Sequence, residues 1–223
     1  MTKTPENNQN RTRVSFMTSN NEKIQEDWSI KILGFHKNGR DLYDTHLNSV
    51  KGRVVKALMD ISHLLKHMDL KTRKEVVYAK AGSIALYGAE LFTGQNEWTQ
   101  NRHTAILMRC NRSIYRKDWF RVSNRRICKD ILVDLPQVMC RKATIRFFHK
   151  MIWIKKPNQL YERLKFNIRH RECSKVNIFQ PLRKESSKRT LLYSGLEIYN
   201  RLPLEYKLMD QKKFKREIKK LDI

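Results

Sequence analysis

Leu47, Val50, Val54, Leu58, Ile61, Leu65 and Met68 recur every three or four residues, leaving Lys51, Arg53, Lys56 and Lys66 elsewhere around the same axis. That spacing predicts an amphipathic α-helix of about 25 residues, whose apolar stripe must be covered by other helices. Upstream of Asp41 the period is two. Polar and apolar side chains alternate through 11–17, and Trp28, Ile30 and Ile32 share one face of 28–35 before Gly34 interrupts. Two such runs, joined by the polar stretch 18–27, read as a β-hairpin. The turn at 37–39, with its Asn-Gly pair, closes the β region. Residues 1–10 are polar and expected to be disordered.

Helical signals dominate the rest. Asp69 is placed to cap a second helix reaching Phe92, stopped by Thr93 and Gly94. Its interior carries Ala79, Ala81, Gly82, Ala85, Gly88 and Ala89, small side chains that admit a neighbouring backbone. Each helical glycine costs about 1 kcal/mol against alanine, so two of them point to tight packing or a bend. Further helices are expected at 97–111, 123–133 (capped by Ser123), 137–152 (set apart by Pro136), 156–165 and 191–201. A last one follows Asp210, with Phe214, Ile218 and Leu221 on one face and lysines on the other. Residues 166–190 show neither period and read as a short strand or extended loop. The expected fold class is mainly α with a small N-terminal β-hairpin.

The chain carries 47 basic and 22 acidic residues, a net charge of +25. The excess is lopsided: residues 101–223 hold 32 basic and 11 acidic side chains. Such a surface repels itself and suits a polyanionic partner. Nucleic acid is the favoured one, because each phosphate neutralised releases condensed counterions. No run approaches the roughly 18 consecutive apolar residues of a membrane span, so no membrane partner is expected. The N-terminus lacks the apolar core of a signal peptide. Cys110, Cys128, Cys140 and Cys173 are widely spaced, as in reduced intracellular proteins. The expected location is nuclear or cytoplasmic, not secreted.

Common catalytic constellations are missing from the sequence: there is no glycine-rich phosphate loop, nucleophile elbow or close cysteine pair. Asp41 and Asp44 suit a helix start, where carboxylates complement the helix dipole. His63 and His67 stand four apart, but zinc needs three or four ligands. His170 and Cys173 make a half-site that Cys140 and His149 would have to complete across a spacing matching no standard module. No metal or other cofactor is expected. Between 109 and 169, cations interleave with aromatics, a pattern that can hold phosphates and stack bases. Within it Phe147, Phe148 and Trp153 read as core, and the cations as a binding face.

Three segments, in order, resemble the C-terminal part of reverse transcriptases from non-LTR retrotransposons. Residues 29–35 (Ser-Ile-Lys-Ile-Leu-Gly-Phe), then Leu42 and Thr45-His46-Leu47, look like the stretch where palm strands give way to the thumb. Residues 85–91 (Ala-Leu-Tyr-Gly-Ala-Glu-Leu) resemble the small-residue helix after the thumb. Residues 194–203 (Ser-Gly-Leu-Glu-Ile-Tyr-Asn-Arg-Leu-Pro), followed by Phe214-Lys215, resemble the closing segment, with Tyr199 where the family has tryptophan. The family's Asp-Asp turn, which with an upstream Asp holds two metals, is not in this sequence. The resemblance implies a palm-end remnant at 11–39, thumb-like helices at 40–95, a basic helical region at 96–190 and a C-terminal tail at 191–223.

It further implies a non-catalytic fragment that contacts template–primer or element RNA, with RNA, RNA–DNA hybrid or DNA as partner. Lys31, Lys51, Arg53 and Lys56 are the backbone-contact candidates carried over from the family. Arg109, Arg112, Arg116, Arg121, Arg125 and Arg126 are candidates from composition alone. Two alternatives stand beside this reading. One is an accessory subunit of a split enzyme, with the palm on a separate chain; the other is a helical protein-interaction module.

Overall fold

The stripe beginning at Leu47 folds into helix α1 (Asp44–Ile61), which buries Leu47, Val50, Val54 and Ile61. A computed structural model describes residues 16–17, 23–24, 29–32, 35–38, 43–115, 119–162, 164–166, 176–178 and 191–221. Expectations placed on residues 1–15, Trp28, Leu33, Gly34, Gly39, Asp41, Arg116, His170 and Cys173 lie outside them. The protein is mainly helical. It forms two compact units, Met1–His46 and Leu47–Ile223.

In the first unit, Phe16–Met17 (β1) pairs antiparallel with Lys23–Ile24 (β2), and Ser29–Ile32 (β3) with Phe35–Asn38 (β4). The hairpin expected between 11–17 and 28–35 is therefore replaced by two local ones. Each run pairs with the residues just after it, which closes a shorter loop at lower entropic cost. Lys37 and Asn38 lie in β4 rather than in a turn. Phe35 stacks on His46, ring centroids 4.3 Å apart.

In the second unit the two predicted long helices break. Ser62 ends α1: its N–H and hydroxyl both donate to the Met59 carbonyl, at 3.1 and 2.8 Å. The stripe then continues on a 3-10 turn, Leu64–His67, which buries Leu65. Asp69 caps α2 (Leu70–Val77) as expected, accepting from the N–H groups of Lys71 and Thr72. The helix expected to reach Phe92 instead passes through a π-turn, Tyr78–Gly82, into α3 (Ser83–Leu86). A Cβ at Gly82 would strike the Tyr78 ring. Gly88, at φ 66°, then turns the chain into the 3-10 segment Ala89–Phe92. Both glycines do what the sequence suggests, one by close packing and one by bending.

Two 19-residue helices, α4 (Glu97–Tyr115) and α6 (Pro136–Ile154), organise the rest. The Asn96 side chain caps α4 by accepting from the N–H of Thr99 at 2.8 Å. Pro136 occupies the first turn of α6, where its missing N–H costs nothing. Between them lies α5 (Asn124–Asp130), capped by Ser123. Helix α4 buries Ile106, Leu107, Cys110 and Ile114, which fall on one face, and packs against α2, α3, α5 and α6.

The predicted helix at 156–165 reduces to one turn, α7 (Asn158–Tyr161), followed by strand β5 (Leu164–Phe166). Its partner is β6 (Val176–Ile178), a strand within the 166–190 region. Helices α8 (Leu191–Asn200), α9 (Leu204–Lys207) and α10 (Gln211–Lys220) complete the unit. Ile145, Phe148 and Met151 of α6 form a core there with Leu196, Tyr199, Phe214 and Ile218. Buried Lys142 fastens α10: its Nζ donates to the Lys219 carbonyl and to Asp134 Oδ2, each at 2.9 Å.

Candidate nucleic-acid interface

Helices α1 and α4 lie side by side and run the same way. Asn48 near the start of α1 accepts from Arg102 Nη2 at 2.6 Å, while the far end of α1 faces Arg109, Arg112 and Ser113. The seam is a groove of about 610 Å³ lined by Val55, Leu58, Met59, Ser62, Leu65, Lys66, Arg109, Arg112 and Ser113. Among the described residues, its lining supplies three cations and no carboxylate. Val55, Leu58 and Leu65 form an apolar floor, with Met59, 68% exposed, beside it.

Helical geometry decides which predicted cations join this groove. At 3.6 residues per turn, Lys51 falls on the face of Val55, Leu58 and Ser62. Arg53 and Lys56 are exposed and do not line the groove, Arg53 standing on nearly the opposite side of α1. Arg109 is exposed at the rim, whereas Arg112 is half-buried and donates through Nη2 to Asn124 Oδ1 at 3.0 Å. That bond sets the first turn of α5, with exposed Arg125, at the end of the α4 stripe. Arg126 is drawn toward Asp130, 3.9 Å away on its own helix. The Arg121 guanidinium sits 5.4 Å from the ring of exposed Phe120. Lys31 lies on β3, opposite His36 in register, in the other compact unit.

Two cations at this seam escape the sequence reading. Lys66 reads there only as the solvated side of a helix, and the 3-10 turn carries it to the groove. Arg102 lies 4.6 Å over the Trp98 ring and spans to α1. A detectable signal is the spacing Trp98, Arg102, Arg109, which repeats along one helical face.

One aromatic expectation is corrected. Phe148 is buried and Phe147 half-buried, but Trp153 is 49% exposed and lies at the margin of the core. It stacks on His149 at 5.8 Å, which in turn stacks on Phe214 at 3.6 Å.

The remaining polar clusters serve packing. Cys140 faces His103, with Sγ and Nδ1 3.5 Å apart, and not His149. Burial pushes the Cys140 thiol up to about 12 and lowers His103, so this pair stays neutral near pH 7. His103 Nε2 lies 2.8 Å from the Ala85 carbonyl oxygen, tying α4 to the small-residue segment. Tyr78 donates to Asn111 Oδ1 at 2.6 Å, and Asn111 contacts Cys128 Sγ at 3.3 Å. His63 and His67 are exposed, and no group of three metal-ligating side chains occurs among the described residues. Nor is any described helix long and apolar enough to cross a membrane.

No family model, curated protein or solved structure matches the chain.

Proposed function

We propose that this protein binds nucleic acid through the α1–α4 face, without catalysing a reaction of its own. The observation that carries the proposal is the groove lining, where Lys66, Arg109 and Arg112 converge and no carboxylate stands among the described lining residues. Lys51 and Arg125 extend the cationic track along α1 and at the start of α5. From Arg102 to Arg112 the α4 stripe runs about 15 Å at 1.5 Å per residue, enough to follow several phosphates. Contacts of this kind position a strand without reading its sequence.

The three ordered motifs support a more specific reading: a thumb and post-thumb fragment resembling that of a non-LTR reverse transcriptase. On it, α1 and its neighbours ride on template–primer or element RNA, and the Asp-Asp chemistry of a palm lies outside these residues. Fluorescence anisotropy with a labelled oligonucleotide tests the binding proposal. Affinity is expected to fall at least about tenfold between 50 and 200 mM salt, given at least three phosphate contacts. Salt-independent binding, or none at 50 mM, removes it.

A further inference from the structure

Phosphate contacts account for the rim of the groove but not for its floor. An apolar surface on which Met59 stands largely in water does nothing for a partner that offers only phosphates. A duplex keeps its bases stacked inside and meets a groove with its backbone. A single strand presents both chemistries at once: phosphates at nucleotide spacing, and unpaired base faces that seek apolar or polarizable surfaces. Methionine sulfur makes favourable contacts with aromatic rings, which suits it to a base.

Resting on the nucleic-acid reading above, and within it favouring unpaired element RNA over a template–primer duplex, we infer that the α1–α4 groove selects single strands. Unpaired bases lie on Val55, Leu58 and Met59, while Lys66, Arg109 and Arg112 hold the adjoining phosphates. Charge complementarity favours this occupant, since Lys66 and Arg109 line the same cleft as the floor, with no carboxylate among the described residues that line it. Phosphate-only binding and base seating make opposite predictions for one substitution, Met59→Lys. It adds a cation but replaces the polarizable thioether and its methyl by a hydrated ammonium, which seats a base less well. Because Met59 is exposed, the change leaves the core untouched.

The test uses the full chain, an unstructured oligo-dT 20-mer and a duplex of equal length, at one salt concentration. Oligo-dT is expected to bind more tightly than duplex. M59K is expected to weaken oligo-dT about fivefold while leaving duplex binding equal or tighter. Equal changes on both ligands, in either direction, overturn the inference, as does a preference for duplex. Absence of binding to both ligands at 50 mM salt instead defeats the nucleic-acid reading itself. An acidic amphipathic peptide that binds wild type and loses the site in M59K, with oligo-dT unaffected, assigns the groove to a protein partner and also overturns it.

Discussion

Lys142 Nζ donates to the carbonyl oxygen of Lys219, 77 residues further along the chain. Its side chain is only 4% exposed, while its ionic partner Asp134 is 41% exposed. The two partners are therefore unequal. Removing Asp134 leaves a buried ammonium without its counter-charge; removing Lys142 leaves a carboxylate that water can reach. Asp134→Ala is expected to cost about 3 kcal/mol or more. Lys142→Met is expected to cost about 1–2 kcal/mol, through the carbonyl left without a donor. Urea denaturation of both variants checks the order, and a larger loss for Lys142→Met contradicts it.

Two helical glycines predict opposite signs for the same substitution. Gly52 is exposed on α1, and a Cβ added there would meet nothing within 4 Å. Gly52→Ala is expected to stabilise by up to about 1 kcal/mol through helix propensity. At Gly195, on α8, the same methyl would strike the buried Phe148 ring. Gly195→Ala is expected to destabilise by about 1–3 kcal/mol, because a packed core must shift. Thermal melts of the pair read both signs.

Arg73 clamps three carbonyls: Leu65 through Nε, Ile114 through Nη1 and Met68 through Nη2, at 3.2, 2.9 and 2.7 Å. It joins α2 to the end of α4 and closes the 3-10 turn that carries Lys66 to the groove. A lysine keeps the charge but not the planar fork. Arg73→Lys is expected to lose about 2 kcal/mol, most of the effect of Arg73→Ala. Full stability in Arg73→Lys contradicts a geometric role.

Burial lowers His103 and His149 below the ordinary imidazole value near 6.5, with the Ala85 and Met209 carbonyls opposing it. Around His149 stand Tyr199, Trp153, Phe214 and Asp210. The unfolded chain takes up protons as pH falls through about 6.5, while the folded imidazoles resist. Stability from these groups is thus complete above about pH 6.5 and declines below it. The melting temperature is expected to drop between pH 7 and 5, and His149→Phe to reduce that drop. A flat profile contradicts the burial argument.

Periodicity and caps make most helices legible in the sequence. Asp69 and Ser123 each cap the helix assigned to them, and Asp210 caps the helix expected to follow it, because a side-chain acceptor before an apolar run is a local signal. What stays hidden depends on contacts distant in sequence. The break at Ser62 keeps Leu65 on the apolar stripe, so the pattern reads as unbroken helix. The exposure of Trp153 follows from where α6 outruns its cover, which no window of residues reveals. At the site, Arg109 and Arg112 follow from composition, but Arg53 and Lys56 group with Lys51 in sequence although α1 turns them away. Lys66 joins the groove only through the clamped 3-10 turn.

The salt dependence of binding in two double variants tests the central claim most directly. Lys66→Gln with Arg109→Gln removes two groove cations; Arg53→Gln with Lys56→Gln removes two from elsewhere on α1, at the same cost in net charge. The first pair is expected to flatten the slope of log affinity against log salt by about 1.5, the second to leave it nearly unchanged. Equal flattening by both pairs contradicts a localised interface and leaves only diffuse attraction by net charge.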